Sequence, residues 1–345
     1  MSPTTSTGSL LGVLHDSGAP TGSRDYTTLV VLHGHNWHSG TFSKVIPLAG
    51  NYNTRVILLN RRGYPGSTAF TDEELGAIPK LAHDAGEDAL EEAKEELGVF
   101  MRERAREVRR GNAGGIVVAG WSFAALWMTS LMTYVSSFPV NDVELSKYVR
   151  RVVIFVRSDL YHRAFDTTLP KEERTAAYDI WERARKISSY YSHGDTLDSL
   201  SHEALADPPS TVSTLSAEER ASLTHRPGGA VDSAIMMPGI QSGLLATLRQ
   251  RAFLLPLGEE VGDGEDESVG DAWRDVELRV VWCQMSHAEV SYIMLLLIAE
   301  LEDAKKKGAP VRNVRIVRVK RGNHFIQWDQ PDMAMRALLG DEGVL

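Results

Sequence analysis

Only one cysteine, Cys283, occurs among 345 residues. No disulfide can form within the chain, so nothing in it asks for an oxidising compartment. Positive charge is also short: 37 Lys and Arg stand against 46 Asp and Glu, for a net charge of −9. A nucleic-acid binder carries a basic stripe, and none is present. The two basic clusters, MRERAREVRR (101–110) and DAKKKG (303–308), each close a helix-like segment, where cations suit the helix dipole. No apolar run spans a bilayer: the longest, VSYIMLLLIAEL (290–301), is too short and runs into charge. The opening MSPTTSTGSLLGVLHDSG lacks the basic start and apolar centre of a secretion signal. There is no phosphate-binding P-loop and no Gly-x-Gly-x-x-Gly turn. Cys283 and His287 lie close in sequence, but no third ligand keeps a metal-like spacing. The expectation is a cytoplasmic protein with no cofactor, no metal, no nucleic-acid partner and no membrane partner. Oligomeric state is left open.

What is present is alternation. TTLVVLHG (27–34), RVILLNRRG (55–63), GGIVVAG (114–120), RRVVIFV (150–156), LRVVWC (278–283) and VRIVRV (314–319) read as strands. They are apolar on both faces, as strands of a parallel sheet covered by helices must be. Between them, 41–52 reads as a short helix and 81–107 as a long one, with Ala85, Ala89, Ala93, Leu97 and Met101 recurring every four residues. The pattern predicts an α/β fold, a doubly wound and mostly parallel sheet with right-handed crossovers. The alternation lapses between about 160 and 272, where the chain is polar, with helical pieces at 171–191 and 242–255. The expected division is a core over 1–158, a helical cap inserted over 159–272, and the rest of the core over 273–345.

The stretch GIVVAGWSFAAL (115–126) places Ser122 between a buried strand and a helix, with Gly120 two before and Ala124 two after. Gly-x-Ser-x-Ala in that context is the nucleophile-elbow pattern. The serine turns sharply so that its hydroxyl stands above the sheet, and only small neighbours fit beside it. A serine nucleophile needs a base. His324, in GNHFIQ (322–327), follows the last strand, and chemistry in such sheets gathers at the carboxyl ends of strands. An attacked carbonyl also needs hydrogen-bond donors. LHGHNWHSG (32–40) ends the first long strand, so Gly34 leaves room for the backbone N–H of His35, which with that of Phe123 would form an oxyanion hole. Asn36, Trp37 and His38 are expected on the pocket floor or rim.

Taken in order, LHGHNWHSG, NRRGYPGS (60–67), GWSFAA (120–125) and NHFIQWDQPD (323–332) resemble the α/β-hydrolase superfamily. HGHNWHSGTF with NRRGYPGST resembles a group of fungal members whose substrates are mostly unassigned. The resemblance implies an eight-stranded sheet, a helical cap, and acyl transfer to a small-molecule substrate through a covalent serine intermediate. It also implies a carboxylate behind the histidine, and here the sequence departs from the pattern. Where most of the superfamily has aspartate, WCQMSHAEV (282–290) has Ser286, with Glu289 three residues on. Some branches carry the acid after the preceding core strand, where this chain has Asp159. Asp159, Glu289 and no acid at all stay open. The leading expectation is a serine esterase or lactonase for a small, mostly apolar substrate. Hydrolysis of a carbon–carbon bond on the same fold, and non-catalytic binding by a member without a complete triad, are the alternatives.

Overall fold

The computed structural model describes residues 10–76, 97–107, 114–135, 143–155, 170–172, 175, 186–241, 243–255 and 273–343. Seven strands form one sheet: β1 (Gly12–Asp16), β2 (Thr27–Leu32), β3 (Thr54–Asn60), β4 (Ile116–Trp121), β5 (Val149–Phe155), β6 (Glu277–Cys283) and β7 (Val314–Val319). Their spatial order is β1-β3-β2-β4-β5-β6-β7. β1 pairs antiparallel with β3, and every other pairing is parallel. The doubly wound sheet is as the alternation predicts, with one strand fewer among the described residues than the eight implied. Six of the seven are the apolar runs read from sequence. β1 was not among them: GVLHD is short, and as an edge strand it buries only Gly12 and leaves Leu14 and Asp16 exposed.

The central strands are fully buried because helices cover both faces. Leu29, Val30, Val31 and Leu32 of β2 and Ile116, Val117, Val118 and Ala119 of β4 have no exposed surface. The main helices are α1 (Ala125–Thr133), α2 (Arg226–Gln241), α3 (Leu244–Phe253), α4 (Ala288–Lys306) and α5 (Pro331–Leu339). Residues 97–107 are also helical, with Leu97, Phe100, Met101 and Ala105 buried; the rest of the expected 81–107 helix lies outside the described residues. The short helix expected at 41–52 is Ser39–Tyr52, wound in 3-10 turns. The apolar run at 290–301 is the middle of α4, and no helix among the described residues is long and apolar enough to cross a membrane.

The chain between β5 and β6 supplies α2 and α3. α3 belongs to the same apolar core as the sheet through Leu245, Leu248, Ala252 and Phe253, and the Thr133 hydroxyl of α1 donates to the Leu248 carbonyl at 2.9 Å. α2 instead crosses over the loop that leaves β2. Residues 222–233 lie against the loops that leave the carboxyl ends of β2 and β3.

Candidate active site

Ser122 directly follows β4, a central strand flanked by β2 and β5. Its φ is +55°, in the left-handed region that a non-glycine residue enters only when the surroundings enforce it. The enforcing contact is behind it. A Cβ placed on Gly120 would lie 2.3 Å from the Ala124 carbonyl oxygen, so the turn closes only over glycine. The elbow is formed as the pattern predicts, with Ser122 half-buried while Phe123 and Ala124 are buried.

His324 sits on the turn after β7, three strands along the sheet from β4, with β5 and β6 between. It is brought back by specific bonds. Trp121 Nε1 donates to the His324 carbonyl at 2.9 Å. Asn323 Nδ2 donates to the Ser188 carbonyl at 2.9 Å and to Thr211 Oγ1 at 2.8 Å, and its Oδ1 accepts from Phe325 N–H at 2.8 Å. The outcome is His324 Nε2 at 2.9 Å from Ser122 Oγ. The imidazole is 1% exposed, and burial, with His287 nearby, pushes its pKa well below the usual histidine value. The imidazole is neutral at pH 7, the form able to accept a proton from a serine hydroxyl.

The other face of His324 carries the departure anticipated at Ser286. His324 Nδ1 is buried without a hydrogen-bond partner among the described residues. The His287 ring packs beside that of His324, with centroids 5.3 Å apart. Glu289 is buried, but its Oε2 lies 3.6 Å from His287 Nδ1, one residue removed from the catalytic position. Burial first, then the charge of His193, lowers the pKa of His287 to about 3, so it too is neutral. Glu289 is thus not the group that touches His324. Asp159 lies outside the described residues.

The loop after β2 lies against the elbow. A Cβ on Gly34 would come within 3.1 Å of Ser122 Cβ, and the His35 and Phe123 rings meet edge to face at 5.8 Å. The loop that carries His35 therefore packs directly against the residues of the elbow. The His35 side chain is fully engaged. Nδ1 accepts from Asn36 Nδ2 at 2.8 Å and Nε2 bonds Ser233 Oγ at 2.9 Å, which ties the loop to α2. Further links fasten the same contact: His38 N–H to the Leu223 carbonyl at 3.1 Å and His225 N–H to the Asn36 carbonyl at 2.7 Å. His35, Asn36 and Trp37 line a cavity of about 560 Å³ together with Thr224, Ala230 and Ser233 of the insertion.

His38 is not at the rim as expected. It is buried and caps the helical segment that follows: Nδ1 accepts from Gly40 N–H at 3.1 Å and Nε2 donates to the Ser222 carbonyl at 2.5 Å. Of the aromatic and Met residues in the insertion, Tyr190 and Tyr191 are buried; Tyr190 donates to Asp329 Oδ2 at 2.7 Å, and Tyr191 stacks on His193 at 5.9 Å. Trp127, Met128 and Met132 of α1 are core residues.

Sequence reasoning missed a buried cluster beside the elbow. Arg61, directly after β3, forms a two-point ion pair with Asp232 of α2, at 2.5 and 2.8 Å. Tyr64 Oη donates to the same carboxylate at 2.5 Å. The guanidinium lies 4.5 Å from the Trp127 ring centre and 5.0 Å from that of Phe123. Arg61 stood inside the motif NRRGYPGS, but its partner lies 171 positions away in a polar stretch with no motif of its own.

A model of the Alpha/beta hydrolase family matches residues 29–337 of this chain. Among solved structures, an epoxide hydrolase from Vigna radiata is similar at 11% identity and a TM-score of 0.52, over 97% of this chain and 95% of that one. Potato epoxide hydrolase I is similar at 11% identity and a TM-score of 0.51, over 94% and 92% of the two chains. At that identity the likeness is one of fold. No curated protein matches the sequence.

Proposed function

Because the chain belongs to the alpha/beta hydrolase family, we propose that it is a serine hydrolase that opens an ester or lactone bond of a small, mostly apolar molecule. The observation that carries this reading is the 2.9 Å approach of His324 Nε2 to a serine held at φ +55° after a central strand. An epoxide hydrolase or dehalogenase on this fold needs aspartate at the elbow, and the chain has Ser122 there.

The chemistry follows from the geometry. Neutral His324 takes the Ser122 proton as Oγ attacks the carbonyl carbon. The negative charge that develops on the carbonyl oxygen is met by the N–H groups of His35 and Phe123. The imidazolium returns its proton to the leaving alkoxide, and an acyl-serine remains. Water then attacks the acyl carbon while the same imidazole takes its proton; the bond from the acyl carbon to Ser122 Oγ breaks, Oγ takes that proton back from the imidazolium, and the carboxylic acid leaves. The single buried cysteine fits a reducing compartment, and we place the reaction in the cytoplasm. One observation favours a second reading, a small-molecule binder on the same scaffold: no carboxylate among the described residues meets His324 Nδ1.

A fluorophosphonate probe separates the two. The native protein is expected to take up one phosphonyl group at Ser122, read by intact mass and peptide mapping. Ser122→Ala is expected to lose both the adduct and the hydrolysis of short-chain p-nitrophenyl esters. A folded native protein that stays unlabelled, and turns over no ester, favours the binder.

A further inference from the structure

We propose that Arg61 is a positioning residue for the oxyanion hole and that Asp232, carried by α2, locks it there, so that docking of the insertion assembles the hole. This inference rests on the serine-hydrolase reading. The key atom is the Gly34 carbonyl oxygen. It accepts from Arg61 Nη2 at 3.1 Å and bonds His33 Nδ1 at 2.9 Å. The His33 tautomer follows from its other nitrogen: Nε2 accepts from Arg61 backbone N–H at 3.1 Å, so the ring proton is on Nδ1 and is donated to Gly34. Burial, then the neighbouring guanidinium, holds the His33 pKa well below the histidine value, which keeps that tautomer neutral.

A peptide unit is planar and trans, so its N–H points opposite to its C=O. Two donors fixing the Gly34 carbonyl therefore also aim the N–H of His35, because both belong to one peptide unit. That unit abuts the nucleophile, as the near contact between a Gly34 Cβ and Ser122 shows. The next peptide is fixed by the same carboxylate. Tyr64 Oη donates to Asp232 and accepts from Asn36 N–H at 3.2 Å. Asp232 thus holds both flanks of His35, one through Arg61 and one through Tyr64. The Phe123 side is covered too, since the guanidinium packs on that ring.

A pair that served packing alone would not need this geometry. Arg61 and Asp232 side chains are 3% and 4% exposed. Two charges so deeply buried give little net stability, and apolar replacement of both is often neutral or stabilising. Their bonds to the Gly34 carbonyl and to Tyr64 are what an apolar pair cannot supply.

The test is the double variant Arg61→Leu/Asp232→Leu, which removes both charges together and leaves neither one stranded. Arg61→Met/Asp232→Met is measured beside it as a second neutral pair of different shape, since neither methionine can bond the Gly34 carbonyl or Tyr64. Either folded variant decides. With a p-nitrophenyl ester, kcat is expected to fall by about thirtyfold or more, with KM within about threefold, since a misaimed donor acts on the transition state. Binding of a trifluoromethyl ketone, which forms a tetrahedral adduct on serine, is expected to weaken by the same factor as kcat/KM. A folded variant with near-native kcat overturns the proposal, and so does one whose KM carries the whole loss. Phosphonate labelling of the native protein keeps the two claims apart. Without it the nucleophile reading fails; with it, an unaffected variant sinks only the clamp.

Discussion

A single backbone angle and a single distance carry the proposed chemistry. Ser122 is held in the left-handed region on a turn that closes only because Gly120 has no Cβ, and its Oγ lies 2.9 Å from His324 Nε2. Both residues were legible in the sequence, since each requirement is local: small residues beside a turn, and a histidine just past a strand. The acid was not legible, because its requirement is spatial. Glu289 stood close enough in sequence to Ser286, yet as the second residue of α4 it is turned toward His287, not His324. Glu289→Gln is therefore expected to lower kcat by less than about tenfold, where loss of an acid bonded to the catalytic histidine costs on the order of 10⁴. A steady-state comparison with p-nitrophenyl acetate checks this, and a thousandfold loss would return Glu289 to the triad.

The loop after β2 and the first turns of α2 fit only because particular side chains are missing. A Cβ on Gly229 would fall 1.7 Å from Asn36 Oδ1 and 3.2 Å from the Asn36 Cα, so Asn36 must shift. Asn36 holds His35, and His35 holds Ser233, so the displacement spreads through the loop that bears the candidate oxyanion donor. Gly229→Ala is expected to destabilise by about 1–3 kcal/mol, as overpacking does, and to lower kcat at least about tenfold. Gly50→Ala is the matched control, since nothing lies within 4 Å of its Cβ position. Urea unfolding and ester turnover measured on both variants give the comparison, and equal behaviour would show that the contact yields freely. In the sequence Pro227, Gly228 and Gly229 fall within the polar stretch where the strand–helix alternation lapses. The reason for the glycines is the approach of two elements distant in the chain, which no local pattern encodes.

Histidine burial gives the folded chain a shared response to acid. His33, His287 and His324 are wholly enclosed with lowered pKa values, His287 to about 3. In the unfolded chain each takes a proton near pH 6.5, while in the native state none does until much lower pH. The unfolded state binds more protons in that window, so stability is full above pH 6.5 and declines as pH falls below it. Each group contributes up to about 1.4 kcal/mol per pH unit. Calorimetry is expected to give a lower melting temperature at pH 5.5 than at pH 7.5, and an equal or higher one would mean that these rings are charged when folded. The sequence was sufficient for the layered α/β sheet and for the serine and the histidine, because hydrophobic period and turn chemistry act between near neighbours. Residue order could not say that a carboxylate in the insertion would reach across to Arg61, or that a histidine would stand behind the base. Those contacts arise when the ends of separate strands and a crossing helix are brought into one buried space, where each polar group must find its partner among whatever else has arrived.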